Sequence, residues 1–479
     1  MFLNKNACIA FLSLVYLCAC SSSPSASAFV SSTLEDQVNV QVTVYNQNLG
    51  LIKDTREVEL SKGIGELRFG DVASAINPVS VSVASLNHPL NFTILEQNYE
   101  YDLMNEQKLL DKYVGRDVKI LQWNEYQDRK EVVDATLIAN NGGQIYKIKD
   151  EIYLGHPGNI ILPEIPENLI EKPTLSWMYN TDIQGTQKLE TSYLTSGMGW
   201  KADYVIVLDE KDNYASIEGW VSIDNNSGAT FKDAELKLVA GDVNRVQPEY
   251  AVQKMQRGMM AMAMDMAAPQ FQEQSFFEYH IYDLQRKATL KNNQTKQINF
   301  VKTPQTEVKK EYWLSSGNNY FYSAYVGNSD KLPVAVKIHM KNEKKNGLGI
   351  PLPKGVVRFY KKDHDGQLQF VGEDNLGHTA KDEELKFQLG KAFDVVAERK
   401  QIDYVRRSNQ LHESEWEVTL RNHKTESVMI HLEESLSGNW KILSSSEAYE
   451  KQDAWKILFK VNVPADGEVK VRYRVQIGI

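Results

Sequence analysis

The stretch from Ser196 to Asn244, SGMGWKADYVIVLDEKDNYASIEGWVSIDNNSGATFKDAELKLVAGDVN, does most to limit what this chain can become. In it Ile217, Gly219, Val221 and Ile223 alternate with Glu218, Trp220 and Ser222, and Leu236, Leu238 and Ala240 alternate with Glu235 and Lys237. A side-chain period of two sets one row against a core and the other toward solvent, a pattern that belongs to strands and not to a helix. Ala202–Leu208 is apolar nearly throughout and ends in the charged turn DEKDN. The turns NNSG at 225–228 and GDVN at 241–244 offer residues that tolerate positive φ or cap their own backbone. Three antiparallel strands with one face on a core follow. The stretch holds no nucleophile beside a base and no cluster of metal ligands, so it reads as scaffold.

Alternation recurs along the chain. Val38–Tyr45, Leu51–Leu60, Gly65–Phe69, Val79–Ala84 and Leu90–Gln97 give an all-β domain over 36–98. EQKLLDKY at Glu106–Tyr113 carries Leu109, Leu110 and Tyr113 at helical spacing and is closed by Gly115. With the strands Asp117–Trp123, Val132–Ala139 and Gln144–Lys149 it defines a small β-rich insert over 99–170. Pro157, Pro163, Pro166 and Pro173 force an extended connector out of it. A central β-sandwich is expected over 171–310 and a C-terminal one over 311–479, where a strand recurs every ten to fifteen residues. The fold class is therefore mainly β: several antiparallel sandwich or small-barrel domains, with one short helix near 106–114.

The start of the chain reads as a targeting segment. Lys5 precedes the apolar run Ala7–Leu17, which is too short to span a bilayer and ends in LCAC at Cys20. Leu17, Cys18, Ala19 and Cys20 resemble the lipobox of bacterial lipoproteins. That resemblance implies a signal peptide over 1–20 and an acylated Cys20 that anchors the body to a lipid bilayer through the tether 21–35. Ser21 after the cysteine implies the outer membrane of a Gram-negative bacterium, with the body in the periplasm or at the cell surface. An ordinary secretory peptide cut after Ala26 or Ala28 is the alternative. Cys8, Cys18 and Cys20 are the three cysteines, so residues beyond Cys20 offer no thiol, disulfide or cysteine metal site. A net charge of −9 makes nucleic acid a poor partner.

No residue is expected to be catalytic, to bind a cofactor or to hold a metal. His280, His339, His364, His378, His412, His423 and His431 are dispersed without H-E-x-x-H spacing, and neither G-x-S-x-G nor a Walker A string occurs. DHDG at 363–366 is a hairpin turn and lacks the ligand spacing of a calcium loop. Interaction is the better expectation, and its candidates are aromatic or sulfur-bearing. Trp220 faces outward from its strand. The segment Glu311–Tyr325 is dense in aromatics, including Tyr312, Trp313, Tyr320 and Tyr322. The Met-rich loop 255–269 contains Met259, Met260, Met262, Met264 and Met266. It reads as a surface loop, as an adaptable contact surface, or as a thioether site for copper(I).

SGMGWKADYVIVLD (196–209), IEGWVSIDNNSGATFKDAELKLVAGDVN (217–244), LPKGVVRFYKKDHDGQLQFVGED (352–374) and LRNHKTESVMIHLEESLSGNWKIL (420–443) resemble the bacterial domain-of-unknown-function family 4139. Its members are sometimes labelled mucoidy-inhibitor-like proteins. VTVYNQNLGLIKDTREVEL (42–60) and LLDKYVGRDVKI (109–120) resemble the N-terminal half of such proteins. The resemblance implies β domains and frequent secretion, and carries no catalytic residues. The expected function is a non-enzymatic envelope lipoprotein acting as a scaffold or as a protein- or glycan-interaction module. An envelope carbohydrate-active enzyme or glycan binder is the alternative, and a copper-handling protein a further one.

Overall fold

The computed structural model describes residues 29–100, 104–124, 129–155, 158–166, 172–241, 243, 270–316, 321–325 and 330–478. Cys20, Tyr320 and the run Met255–Met266 lie outside the described residues. Among the described residues the fold is mainly β with one short α-helix, as alternation and the helical spacing at 106–113 imply. The chain divides into two compact units. One draws on Met1–Val38, Thr55–Val72 and Val83–Glu190, the other on Asn39–Asp54, Ala73–Ser82 and Thr191–Ile479.

In the first unit, Gly63–Phe69 and Phe92–Glu100 flank Thr174–Thr181 in a four-stranded sheet. Leu175, Trp177 and Tyr179 alternate inward and are buried. The Trp177 ring lies 5.3 Å from that of Phe69, and its Nε1 donates to Gln97 Oε1 at 2.9 Å. A separate five-stranded sheet, including Asp117–Asn124 and Arg129–Ala139, carries the helix Glu106–Tyr113. Asn105 caps that helix by accepting from the Lys108 amide at 2.9 Å, and Leu110 and Tyr113 are its buried face. The expected strand at Val79–Ala84 begins instead as a 3₁₀ turn, Pro78–Ser80, before Ser82–Ser85 becomes extended. Proline at its first position favours that turn.

The second unit holds β1 (Met198–Leu208), β2 (Tyr214–Asn225), β3 (Gln294–Ser315), β4 (Asp330–Lys341), β5 (Gly355–Lys362), β6 (Leu368–Leu376) and β7 (Glu384–Arg406). It continues with β8 (Leu411–Asn422), β9 (Val428–Ser435), β10 (Asn439–Ser445), β11 (Lys456–Val463) and β12 (Gly467–Gly478). The order in the sheet is β6-β5-β1-β2-β3-β4-β7-β8-β12-β10, with β9 pairing both β3 and β11. Most pairs are antiparallel. β1–β5 and β3–β9 are parallel, joining segments far apart in sequence.

The first seven strands curl into a barrel. β6, at the free end of the sheet, returns against β7: the Gln388 amide donates to Asp374 Oδ2 at 2.8 Å. The Leu389 carbonyl approaches Gly372 so closely that a Cβ there would lie 2.3 Å from it. Tyr204, Ile217, Val301, Met340, Val357, Leu376 and Phe387, one from each strand, meet around a void of about 10 Å³, so the interior is filled. The long strands β3 and β7 then leave the barrel and enter a second core, built on Trp416, Ile430, Phe459, Tyr473 and Val475.

Gly219 on β2 shows how closely the barrel wall is packed. A Cβ at that position would sit 2.4 Å from Val301 Cγ1 and 2.6 Å from Phe300 Cε1. Gly219→Ala is expected to cost about 1–3 kcal/mol in denaturant unfolding. A loss below about 0.5 kcal/mol, the scale of ordinary surface changes, would mean the ring of Phe300 is free to yield.

Candidate functional site at the barrel mouth

Strand β3 divides its last residues between two environments, since neighbouring side chains point to opposite faces. Lys310 and Tyr312 turn toward a cavity of about 230 Å³. Its apolar wall includes Val371 together with Leu208, Ile338 and Leu389, the last three each one step farther along their strands than residues filling the barrel. The cavity is therefore the mouth of the barrel, a common place for a ligand. Its charged lining is Asp212, Lys310, Lys361, Lys391 and Lys424: four ammonium groups against one carboxylate.

Asp212 sits in the β1–β2 turn at φ +57°, a left-handed conformation that aspartate tolerates better than most residues. Asp209 fixes the turn by accepting the amides of Asn213 at 2.8 Å and Tyr214 at 3.1 Å. The Asp212 carboxylate then bridges Lys310 at 2.7 Å and Lys361 at 2.5 Å, and Lys361 also donates to the Glu210 carbonyl at 2.8 Å. Burial alone would raise the Asp212 pKa, but hydrogen bonds and charge from Lys310 and Lys361 outweigh it and hold it below its ordinary value. For Lys310, burial pulls downward and Asp212 outweighs it, so the ammonium form is favoured. Lys391 and Lys424 make no ion pair among the described residues. The arrangement leaves a pocket with positive charge to spare.

Asp212→Asn removes the counter-charge while keeping the shape. We expect a loss of about 1.5–3 kcal/mol, the range for hydrogen bonds to charged groups, together with tighter binding of anions at the cavity. Because the folded carboxyl titrates below the unfolded one, the wild-type contribution is full above about pH 4 and disappears as acidification passes the folded pKa. An Asp212→Asn variant that keeps its stability and loses anion affinity would contradict this reading.

The other face of β3 carries Glu311 and Trp313. Glu311 accepts from Trp313 Nε1 at 2.8 Å and pairs with Lys309 at 2.7 Å, and its Oε2 lies 3.3 Å from His339 Nε2 and 3.9 Å from His431 Nδ1. Burial opposes ionisation of Glu311, but these donors and the two histidines hold its pKa below the usual value. Burial also lowers the His431 pKa, against the pull of Glu311. Trp313 is stacked on His431 with ring centroids 4.9 Å apart, and Lys337, on the strand to its other side, places Nζ 4.3 Å from its centroid. The indole is thus occupied by neighbours within the chain.

Trp220 is half-buried on the face opposite Ile217, Val221 and Ile223, where it is paired in register with Asp203 and Asn299. Tyr322 packs edge-on against His412 at 5.8 Å, its hydroxyl meets that of Ser437, and its carbonyl accepts from Tyr404. Among the described residues, the aromatics of Glu311–Tyr325 therefore do not form one platform, and Tyr312 alone of them lines the cavity. At the DHDG turn between β5 and β6, Asp363, His364 and Asp365 bring ligand atoms within 4.8 Å of one another. The Asp363 carboxylate is engaged there by the Asp365 and Gln367 amides and by Gln369. Sequence reasoning missed Asp212, Lys310, Lys361, Lys391 and Lys424. They come from separate segments, and a single lysine on a strand carries no local signal.

The family model described as "Domain of unknown function (DUF4139)" matches residues 189–478, which takes in the barrel, its mouth and the second core. The likenesses at 42–60 and 109–120 fall outside that match. A comparison with curated proteins finds no match. A family match that runs through the whole barrel and covers more than half of the chain makes this protein a member of the DUF4139 family.

Proposed function

We propose that this chain is a non-enzymatic binding module that takes an anionic partner at the mouth of its barrel. One observation carries the proposal: four lysines surround a cavity of about 230 Å³ with a single carboxylate among them, and that carboxylate is already shared by two of the four. Lys391 is exposed and Lys424 half-buried, and like charges gathered at one opening repel one another unless something of opposite sign answers them. The acidic groups do not favour an enzyme. A glycosidase needs one carboxyl with a raised pKa, whereas Glu311 beside Trp313 is shifted downward. The occupied faces of Trp313 likewise weaken the case for a sugar-stacking platform.

The envelope setting rests on LCAC at 17–20 and on Ser21. In this reading Cys20 is acylated, the outer membrane of a Gram-negative cell holds the anchor, and the module works in the periplasm or at the cell surface. Cys20→Ser then leaves the protein soluble or unprocessed; palmitate labelling of that variant in the membrane fraction would contradict the anchor.

Calorimetric titration with inorganic phosphate at low salt tests the binding role. Saturable binding is expected, weakened by added salt and lost in Lys391→Ala/Lys424→Ala at unchanged melting temperature. Absence of binding, or identical binding by the double variant, would overturn it.

A further inference from the structure

The rim of the cavity says more about the ligand than its sign. Lys391 lies where β7 departs from regular pairing: β4 advances from Ala335 to Pro333 while β7 advances from Lys391 to Val396. Ala392–Val395 thus stand against Val334 alone; Val395 stays buried in the second core while Phe393 is turned out, as a bulge re-aims the side chains it carries. Phe393, within that bulge and lining the cavity, is 93% exposed. Val371, across the barrel seam on β6, lines the same cavity and is 43% exposed. A large apolar side chain held in water at the edge of a cationic pocket is unsatisfied in a different way from the lysines. Both are satisfied together by one molecule that is anionic at one end and apolar at the other.

The polar groups narrow the class further. Lysine only donates hydrogen bonds, and the side-chain acceptors at the cavity, the Asp212 carboxylate and the Tyr312 hydroxyl, already accept from Lys310 and Lys361 or from Lys310, so donors outnumber acceptors there. A sugar ring would bring several hydroxyls that need acceptors as well as donors, and burying them without partners is costly. A carboxylate or phosphate needs donors alone. A cavity of about 230 Å³ is smaller than a usual small-molecule pocket, which suits a head group whose apolar remainder lies outside.

Resting on the anion-binding reading above, we infer that the barrel mouth holds one molecule of an amphiphilic anion. Its carboxylate or phosphate head sits among Lys391, Lys424 and the Asp212-bridged lysines, and its apolar body lies against Val371 and Phe393. The occupant is a single dissolved amphiphile and not a bilayer surface.

Calorimetry with the full chain separates the parts of this inference. The probes are octyl phosphate and octanoate below their micellar concentrations, inorganic phosphate and acetate, neutral octyl glucoside, and phosphatidylcholine vesicles containing phosphatidic acid. Each octyl anion should bind as one molecule per chain, about tenfold or more tighter than its bare head group, since burying two methylenes is worth that factor. Phe393→Ala should bring the octyl anions down to the level of the head groups and leave the head groups unchanged. Lys391→Ala/Lys424→Ala should abolish both. Equal affinity for phosphate and octyl phosphate would overturn the amphiphile while leaving an anion site intact. Binding of octyl glucoside as tight as octyl phosphate, or of vesicles without the monomers, would also overturn it. Silence toward every anion would remove the anion site itself.

Discussion

Arg399→Met is expected to destabilise the chain by about 3–5 kcal/mol, because it leaves a carboxylate buried without its cation. Arg399 and Glu434 are 3% and 0% exposed at the side chain and lie 3.1 Å apart inside the second core. Arg399 Nη2 also donates to the Tyr473 hydroxyl at 3.0 Å, and Ser316 Oγ is hydrogen-bonded to Glu434. The guanidinium carbon sits 4.1 Å from the Trp416 ring centroid and 5.3 Å from that of Phe321. A carboxylate, a phenol and two ring faces thus meet the one cation. A buried pair of this kind is a weak source of net stability, since desolvation offsets most of the attraction, yet breaking it is severe. The double variant Arg399→Met/Glu434→Leu should recover most of the loss. Equilibrium unfolding of the wild type, Arg399→Met, Glu434→Leu and the double variant forms the cycle. A single variant within about 1 kcal/mol of wild type would show that water reaches the pair.

The second large effect is expected in the first unit. Trp177 is fully buried, touches Phe69 and satisfies its only polar side-chain atom on Gln97. Trp177→Ala removes the ring from a close-packed layer and should cost about 3–5 kcal/mol, read from the denaturant midpoint at constant slope. Trp177→Phe keeps most of the apolar volume and gives up only the hydrogen bond to the exposed Gln97, so a smaller loss is expected. Near-equal losses for the two variants would mean that the hydrogen bond outweighs the packing.

How far the sequence reveals such features depends on how local their causes are. Alternation at Val38–Tyr45 and Ile217–Ile223 is a local consequence of one-sided burial, and both segments are strands, Gln37–Tyr45 and Tyr214–Asn225. The helix Glu106–Tyr113 was equally legible, because the spacing of Leu109, Leu110 and Tyr113 and the closing Gly115 all lie within about three turns. A glycine within a strand lets a neighbour come close, and at Gly219 the structure brings Phe300 and Val301 there. The parallel pairing of β1 with β5 was not readable, since Ala202 and Gly355 are partners separated by the whole of β2, β3 and β4. For the same reason the barrel mouth stayed hidden. Tyr312 looked like one member of an aromatic cluster with Trp313, yet the two point to opposite faces of β3, and only the closed sheet brings Lys310, Lys361, Lys391 and Lys424 around one space. Aromatic density marked the right strand and the wrong face. The charge that matters was spread over β3, β5, β7 and the β8–β9 loop.

The most direct measurement is diffraction from the full chain crystallised with octyl phosphate. One phosphate group is expected within hydrogen-bonding distance of Lys391 and Lys424, with its alkyl chain running past Val371 onto Phe393. Density for the ligand at another surface, with the barrel mouth containing solvent alone, would contradict it.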